Sequence, residues 1–157
     1  MSNYKKIDAI DVKLLSYLKK NASLTATELS SMVHLSIQAI NKRIANMGAS
    51  GLIERFTIVT NPEKAGKPVF AFISVVLVSP DFINNFLTWA NSEDNITGCY
   101  AVAGEYDYML EIFSSSITTL NEQILKIKSI PGVARTLTTV VLQTYKRECS
   151  VIPEEQK

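Results

Sequence analysis

The sequence contains few of the residues that most enzymes, metal sites and membrane proteins rely on. It has one histidine, His34, and two cysteines, Cys99 and Cys149, which stand far apart and in no spacing typical of a metal site. Its longest largely apolar run, residues 69–78, is too short for a bilayer, which needs about 20 residues. The N-terminus lacks the uninterrupted apolar stretch of a signal peptide. We therefore expect a reduced cytoplasmic protein that binds no metal and no cofactor.

Acidic residues are also missing from one long segment, since none occurs from Leu29 to Ile53. Residues 1–55 carry eight lysines and arginines against four acids, a net charge of +4, and the remaining residues carry −3. A basic front and an acidic back indicate two modules with different partners. The length of 157 residues and the 46% hydrophobic content fit two small packed domains.

The first module, residues 1–56, is predicted to be a helix-turn-helix domain. A first helix is indicated by apolar residues at helical spacing: Ile7, Ile10, Leu14 and Leu18. "TATE", from Thr25 to Glu28, is a capping box that begins a second, short helix. Ser36 is placed to cap a third helix after a turn of about three residues. Two short helices joined in this way are typical of DNA-binding domains.

The third helix has the pattern that a helix in a DNA groove requires. The spacing predicts an apolar stripe that holds this helix on the domain: Ile37, Ile40, Ile44 and Met47. The other face lacks carboxylates, which DNA phosphates would repel. An amphipathic core helix whose solvent face lacks acids by chance is the alternative.

Each polar residue of this region is given a role in DNA binding. We assign Lys42 and Arg43 to phosphates, Gln38 and Asn41 to adenine edges, and Ser36 to a backbone contact. Residues 52–59 are predicted to form a strand, and this strand would place Arg55 near the DNA on a small wing.

The second module, residues 69–150, is predicted to follow a turn-rich linker of residues 57–68. Its elements read β-α-β-β-α-β, the order of ferredoxin-like folds, so the whole chain is expected to be α+β. Two helices cover only one face of such a sheet, yet the first strand is apolar on both faces. A second copy of the sheet would cover the other face, which predicts a homodimer.

Taken in order, these segments resemble the leucine-responsive/asparagine regulator (Lrp/AsnC) family of transcription factors. The resemblance covers residues 7–146. It lies in "IDAIDVKLLSYLKKNASLTATELSSMVHLS", "INKRI", "GLIERFTI", "AGEYDYMLEIF" and "IPGVARTLTTVVLQTYK". It implies a plain or winged helix-turn-helix domain joined to a ferredoxin-like domain called RAM. It also implies double-stranded DNA as a partner, dimers that commonly assemble into octamers, and in many members an amino acid bound between dimers.

The resemblance also implies residues for an amino-acid effector. The family's Gly-x-Tyr/Phe-Asp-Tyr turn matches Gly104, Glu105, Tyr106, Asp107 and Tyr108, and its effector-responsive last strand matches the region of Thr136, Thr138 and Thr139. The acids would take the ammonium of an amino acid, and turn amides with threonine hydroxyls would take its carboxylate. An ordinary hairpin turn and ordinary strand propensity are the alternative interpretation.

Two features of the predicted recognition helix depart from the pattern expected of a DNA-binding member of this family. Met47-Gly48 stands where the family usually has Leu-Glu near the end of the recognition helix. Since glycine costs about 1 kcal/mol inside a helix, we expect this helix to end early or to be mobile. The recognition face has only two cations, which predicts modest affinity per subunit and a need for multivalent binding.

The competing functions are a haem-precursor decarboxylase-like enzyme and a metabolite sensor that does not bind DNA.

Overall fold

The computed structural model describes residues 6–155, which form two compact units. One unit contains the described residues through Val59 together with those from Lys146 onward, and the other runs from Thr60 to Tyr145. The sequence assigned residues as far as 150 to the second domain, whereas the structure groups Lys146 and its successors with the first. The first five residues of the predicted DNA-binding domain lie outside the described part of the chain.

The first unit has three helices: α1 (Ala9–Lys20), α2 (Ala26–Val33) and α3 (Ile37–Ala49). Each helix begins with a side-chain cap. Asp8 accepts from the N–H of Ile10 and Asp11, and Ser36 accepts from Ala39 at 3.2 Å. The capping box of Thr25 and Glu28 has both of its reciprocal bonds. The three predicted helix starts are therefore confirmed to within two residues.

The core of the first unit joins all three helices. Leu14, Leu29 and Ile40 are fully buried. Of the four residues in the predicted stripe of α3, Ile40 and Met47 are buried and Ile44 packs beside them. Ile37 is different, because 45% of it is exposed. Its inward assignment was wrong: it is the first residue of α3, at the edge of the packed stripe.

Two further expectations for this unit differ from the structure. Residues 52–59 pair with no strand among the described residues, so the predicted wing strand is not formed there. Helix α3 runs past Gly48 to Ala49 and does not end early. A Cβ built at Gly48 would meet no atom within 4 Å, so open space surrounds this glycine.

The second unit has the predicted β-α-β-β-α-β order. Its elements are β1 (Val69–Leu77), a 3₁₀ turn (Pro80–Phe82) leading into α4 (Ile83–Ser92), β2 (Ile96–Ala101), β3 (Tyr108–Ser114), α5 (Ile117–Lys128) and β4 (Val133–Val140). The sheet order is β2-β3-β1-β4, and all neighbours are antiparallel. The ferredoxin-like prediction is therefore confirmed.

The two faces of this sheet have different surroundings. Ala71, Ile73 and Val75 of β1 are fully buried against a core that includes Phe86 of α4 and Leu120 of α5. Alternate residues point to the opposite face, which we call the open face. It carries Phe70 and Phe72 of β1, Tyr100 of β2, Phe113 of β3 and Leu137 of β4. The fold therefore leaves an aromatic surface on the side away from its helices.

Candidate nucleic-acid interface and effector turn

The outer face of α3 is a continuous exposed surface without carboxylates. Gln38, Asn41, Lys42 and Ala45 are exposed, and their spacing of three, one and three residues follows one side of a helix. Ile40 and Met47 lie on the opposite, buried side and fix the helix to the domain. We call this surface, with Ile37 at its edge, the outer face. It presents two amides and one ammonium group to solvent.

The two cations of α3 do not share this surface. Lys42 is exposed on the outer face. The Arg43 guanidinium instead reaches α1, where one of its nitrogens lies 2.7 Å from a carboxylate oxygen of Asp11 and 2.8 Å from one of Asp8. Only 23% of the Arg43 side chain is exposed. Arg43 therefore contacts Asp8 and Asp11 within the domain, whereas the sequence assigned it to a DNA phosphate.

These contacts lower the pKa of Asp8 and raise the pKa of Arg43, and both changes favour the charged form. Burial acts to raise the pKa of Asp8, but hydrogen bonds from the Asp11 N–H, from Arg43 and from the Ile10 N–H outweigh it, so the pKa lies below its usual value of 3.8. The hydrogen bonds to Asp11 and Asp8 raise the pKa of Arg43. Both shifts favour the charged forms of Asp8 and Arg43, and the contacts join the start of α1 to the middle of α3.

The remaining predicted DNA contacts lie at the edges of α3. The Ser36 hydroxyl caps the helix by accepting from Ala39, and it keeps its own proton for a further bond. Arg55 is exposed in the segment after α3, without the predicted strand to hold it. The structure therefore brings Ser36, Gln38, Asn41 and Lys42 together on one helix.

The turn between β2 and β3 reaches across the end of β1. The Asp107 N–H donates to the Val75 carbonyl, and the Asp107 carboxylate accepts from the Leu77 N–H at 2.8 Å. This second bond satisfies the Leu77 N–H just beyond Val75 and Tyr108, the last pair of β1 with β3. Asp107 therefore has a structural partner, in contrast to the free ammonium-binding acid that the sequence suggested.

The other members of the turn divide between core and surface. Tyr108 is buried, and its ring packs against Phe86 at 5.0 Å between centroids, so its role is in the core. Glu105 is exposed. Gly104 has a φ of +143°, and a Cβ built there would meet nothing within 4 Å. A side chain at Gly104 would thus be disfavoured by the backbone conformation and not by crowding.

The sequence reasoning missed Arg135 as a member of this site. Arg135 of β4 donates to the Glu105 carboxylate at 2.8 Å, and its guanidinium lies 5.0 Å from the centre of the Tyr106 ring. Both charged side chains are more than half exposed. The sequence signal was the position of Arg135 beside Thr136, in the same strand segment as the candidate threonines. The turn therefore presents a carboxylate and a guanidinium side by side.

The three candidate threonines do not share a face of the sheet. Thr136 and Thr138 pair with Val75 and Ile73, so they lie on the helix side and are half-buried. Thr139 pairs with Phe72 and lies on the open face, where it is exposed. The register of β4 against β1 therefore determines which face of the sheet each threonine lies on.

Comparison with known proteins identifies the family. Residues 69–151 match the model of the Lrp/AsnC ligand binding domain, and residues 7–54 match a model described as winged helix-turn-helix DNA-binding. The chain belongs to the Lrp/AsnC family. It is therefore a DNA-binding transcriptional regulator.

Individual relatives agree with this assignment. The chain is 31% identical to the HTH-type transcriptional regulator FL11 of Pyrococcus abyssi over 89% of its own length and 92% of the relative. Among solved structures, a transcriptional regulator of Neisseria meningitidis in complex with L-Met superposes with a TM-score of 0.89 at 27% identity, covering 93% of this chain and 96% of that one. AsnC of E. coli superposes with a TM-score of 0.86 at 28% identity, covering 95% and 100%.

The family assignment decides between the competing functions. Lrp/AsnC proteins are transcriptional regulators, so the decarboxylase-like alternative is rejected. Within residues 6–155, no group of three or more histidine, cysteine, aspartate or glutamate side chains is arranged to hold a metal ion. No helix in the same part of the chain is long and apolar enough to cross a membrane.

Proposed function

We propose that this Lrp/AsnC regulator binds the major groove of double-stranded DNA through the outer face of α3. The exposed, carboxylate-free surface of Gln38, Asn41 and Lys42 is the observation that carries the proposal. The Lys42 ammonium neutralises a phosphate, while the two amides match the donor and acceptor pair of an adenine edge. Ser36 and Arg55 add contacts to the DNA backbone on either side of α3.

In this proposal Arg43 is a positioning residue. It fixes α3 against α1 through Asp8 and Asp11, and its charge offsets one of the two negative charges at the start of α1. A rigid α3 places its amides within the narrow distance range that base recognition requires.

We further propose that the open face forms a homodimer by packing against the same face of a second copy. The stacked rings of Phe70 and Phe113, with centroids 4.6 Å apart, give it a flat aromatic centre. Tyr100 and Leu137 are each 49% exposed and extend this apolar surface to both edges of the sheet. Monomeric proteins rarely expose a large contiguous apolar surface, and packing against the same face of a second copy would bury it.

Among the described strand residues, Glu111 places a carboxylate on this face, and it has a hydrogen-bond partner there. The Tyr100 hydroxyl donates to Glu111 at 3.0 Å. A Cβ built at Gly98, across from Glu111, would lie 2.6 Å from that carboxylate and from the Tyr100 hydroxyl. Gly98 therefore leaves room for the bond, which lowers the cost of removing Glu111 from water.

We also propose that an amino acid is the effector and that it binds at the turn of residues 104–107. A Mycobacterium tuberculosis relative and the Neisseria meningitidis relative are both described as complexes with L-methionine. In this chain, Glu105 and Arg135 form a surface ion pair that complements an amino-acid zwitterion. The ammonium would bind Glu105 and the carboxylate would bind Arg135, so the pair would open without leaving either charge unpartnered.

Binding of a fluorescent duplex from the region upstream of the protein's own gene tests the function. The affinity should be measured at fixed salt without ligand and then with each amino acid. We expect binding without ligand and a changed affinity or stoichiometry with at least one amino acid. Absence of binding would contradict the proposed DNA interface, and binding that no amino acid alters would remove the effector proposal alone.

A further inference from the structure

Ile37 has a large apolar side chain that remains partly exposed to solvent. It is the first residue of α3, and 45% of it is exposed, whereas Ile40 in the next turn is fully buried. The other apolar residues of the α3 stripe belong to the core: Ile40 and Met47 are buried in it, and Ile44 packs against it. Its exposed part therefore lies at the leading edge of the surface that we propose to face DNA.

Ile37 stands at the N-terminal end of α3, the end that comes nearest to the bases in helix-turn-helix proteins. In helix-turn-helix proteins the N-terminal residues of the recognition helix contact base edges. Ile37 follows the cap residue Ser36 and precedes the exposed Gln38. Because residues four apart are neighbours on a helix surface, it also adjoins Asn41 one turn later.

The major groove offers an exposed isoleucine one favourable partner. Base edges there carry hydrogen-bond donors and acceptors, and burying these against a hydrocarbon costs free energy. The exception is the C5-methyl group of thymine, which takes apolar contacts from side chains. Thymine also pairs with adenine, the base whose edge suits the amides of Gln38 and Asn41.

We propose that Ile37 is a specificity-determining residue that contacts the C5-methyl group of a thymine, so that α3 selects an A·T pair at this position. The inference rests on the proposed placement of the outer face in the major groove. It adds to that function the base that the first residue of α3 recognises.

Uracil provides a direct test, since it has the hydrogen-bonding groups of thymine without the methyl group. The affinity of the full-length protein should be measured for two duplexes of the same upstream sequence, one with thymine and one with deoxyuridine throughout. We expect the native protein to bind the uracil duplex more weakly, by about fourfold for each methyl group in contact. Ile37→Ala should bind the thymine duplex more weakly and lose this thymine preference.

Met32→Ala is the matched control, because Met32 of α2 is also 45% exposed but lies outside α3. It should retain the thymine preference of the native protein. Effects of uracil on DNA shape would persist in Ile37→Ala, so only a contact with Ile37 removes the preference in that variant alone.

Three results would overturn the proposal, and they differ from failure of the DNA interface. Equal affinity of the native protein for both duplexes would show that no methyl group is read. An unchanged preference in Ile37→Ala would assign the methyl contact to another residue, and loss of the preference in Met32→Ala as well would show that the effect is not specific to Ile37. If the native protein bound neither duplex, the placement of α3 in the groove would itself be wrong.

Discussion

Lys42 and Arg43 are adjacent in the sequence, yet their charged groups serve different surfaces. Lys42 is exposed on the outer face of α3, whereas Arg43 lies between two carboxylates of the α1 segment, 2.7 Å from Asp11 and 2.8 Å from Asp8. Successive residues of an α-helix are turned by about 100°, which is enough to separate the two side chains. Their substitutions should therefore have separable effects.

Replacing Arg43 should reduce the stability of the first unit. Arg43→Ala leaves Asp11, which is 8% exposed, without its cation, and we expect a loss of about 1–3 kcal/mol in the free energy of unfolding. Lys42→Ala should change it by less than about 0.5 kcal/mol. Chemical denaturation of both variants checks this.

A double-mutant cycle then tests the contact itself. Arg43→Ala and Asp11→Ala should show a coupling free energy of about 1 kcal/mol or more when combined. If the two effects simply add, the ion pair does not join α1 to α3 in solution.

The same cluster predicts how stability depends on pH. The folded-state pKa of Asp8 is lowered, so its contribution to stability is complete above the usual value of 3.8 and disappears as the pH falls below that value and through the lowered pKa. Asp8→Asn should therefore unfold at a lower temperature than the native protein at pH 7 and at the same temperature near pH 2. A gap that remained constant over this range would assign the effect of Asp8 to something other than its charge.

The open face predicts a second separable effect. Leu137→Asp, on the edge strand β4, should convert the homodimer to monomers because it would bury a carboxylate in an apolar interface. Leu125→Asp is the matched control, since Leu125 is 57% exposed on α5, away from this face. Light scattering after size exclusion gives the mass of each variant. If Leu137→Asp and Leu125→Asp were both dimers, the subunits would associate through another surface.

The effector turn is tested by charge variants of its ion pair. A ligand at about 100 times its dissociation constant should stabilise the native protein by about 2.7 kcal/mol. Glu105→Gln and Arg135→Gln should each lose this stabilisation and still bind DNA without ligand, because neither residue belongs to α3. If both variants keep the full response in a thermal-shift screen, the zwitterion binds elsewhere.

Much of the fold could be predicted because it follows from local signals. The caps at Thr25 and Ser36 and the turn at His34 determine the helix-turn-helix, and each is visible in the sequence. The nearly continuous apolar run of β1 is equally visible, and it predicted a strand with two apolar faces.

The missing parts depend on contacts between distant residues. The contact of Arg43 with Asp11 spans 32 residues, and that of Arg135 with Glu105 spans 30, so no local pattern reveals either one. The faces of Thr136 and Thr139 depend on the register of β4 against β1. Residues 52–59 show the opposite error, since their apolar content is typical of a strand but strand pairing needs a partner.

The salt dependence of DNA binding by Lys42→Gln shows whether the outer face of α3 contacts DNA. If Lys42 neutralises a phosphate, the slope of log K against log salt should be shallower by about 0.9 for each Lys42 in contact, with weaker binding to all sequences. Lys128 is exposed on α5 of the other unit, so Lys128→Gln should leave the slope unchanged. If Lys42→Gln kept the slope of the native protein, the outer face of α3 would not contact DNA and the proposed interface would be wrong.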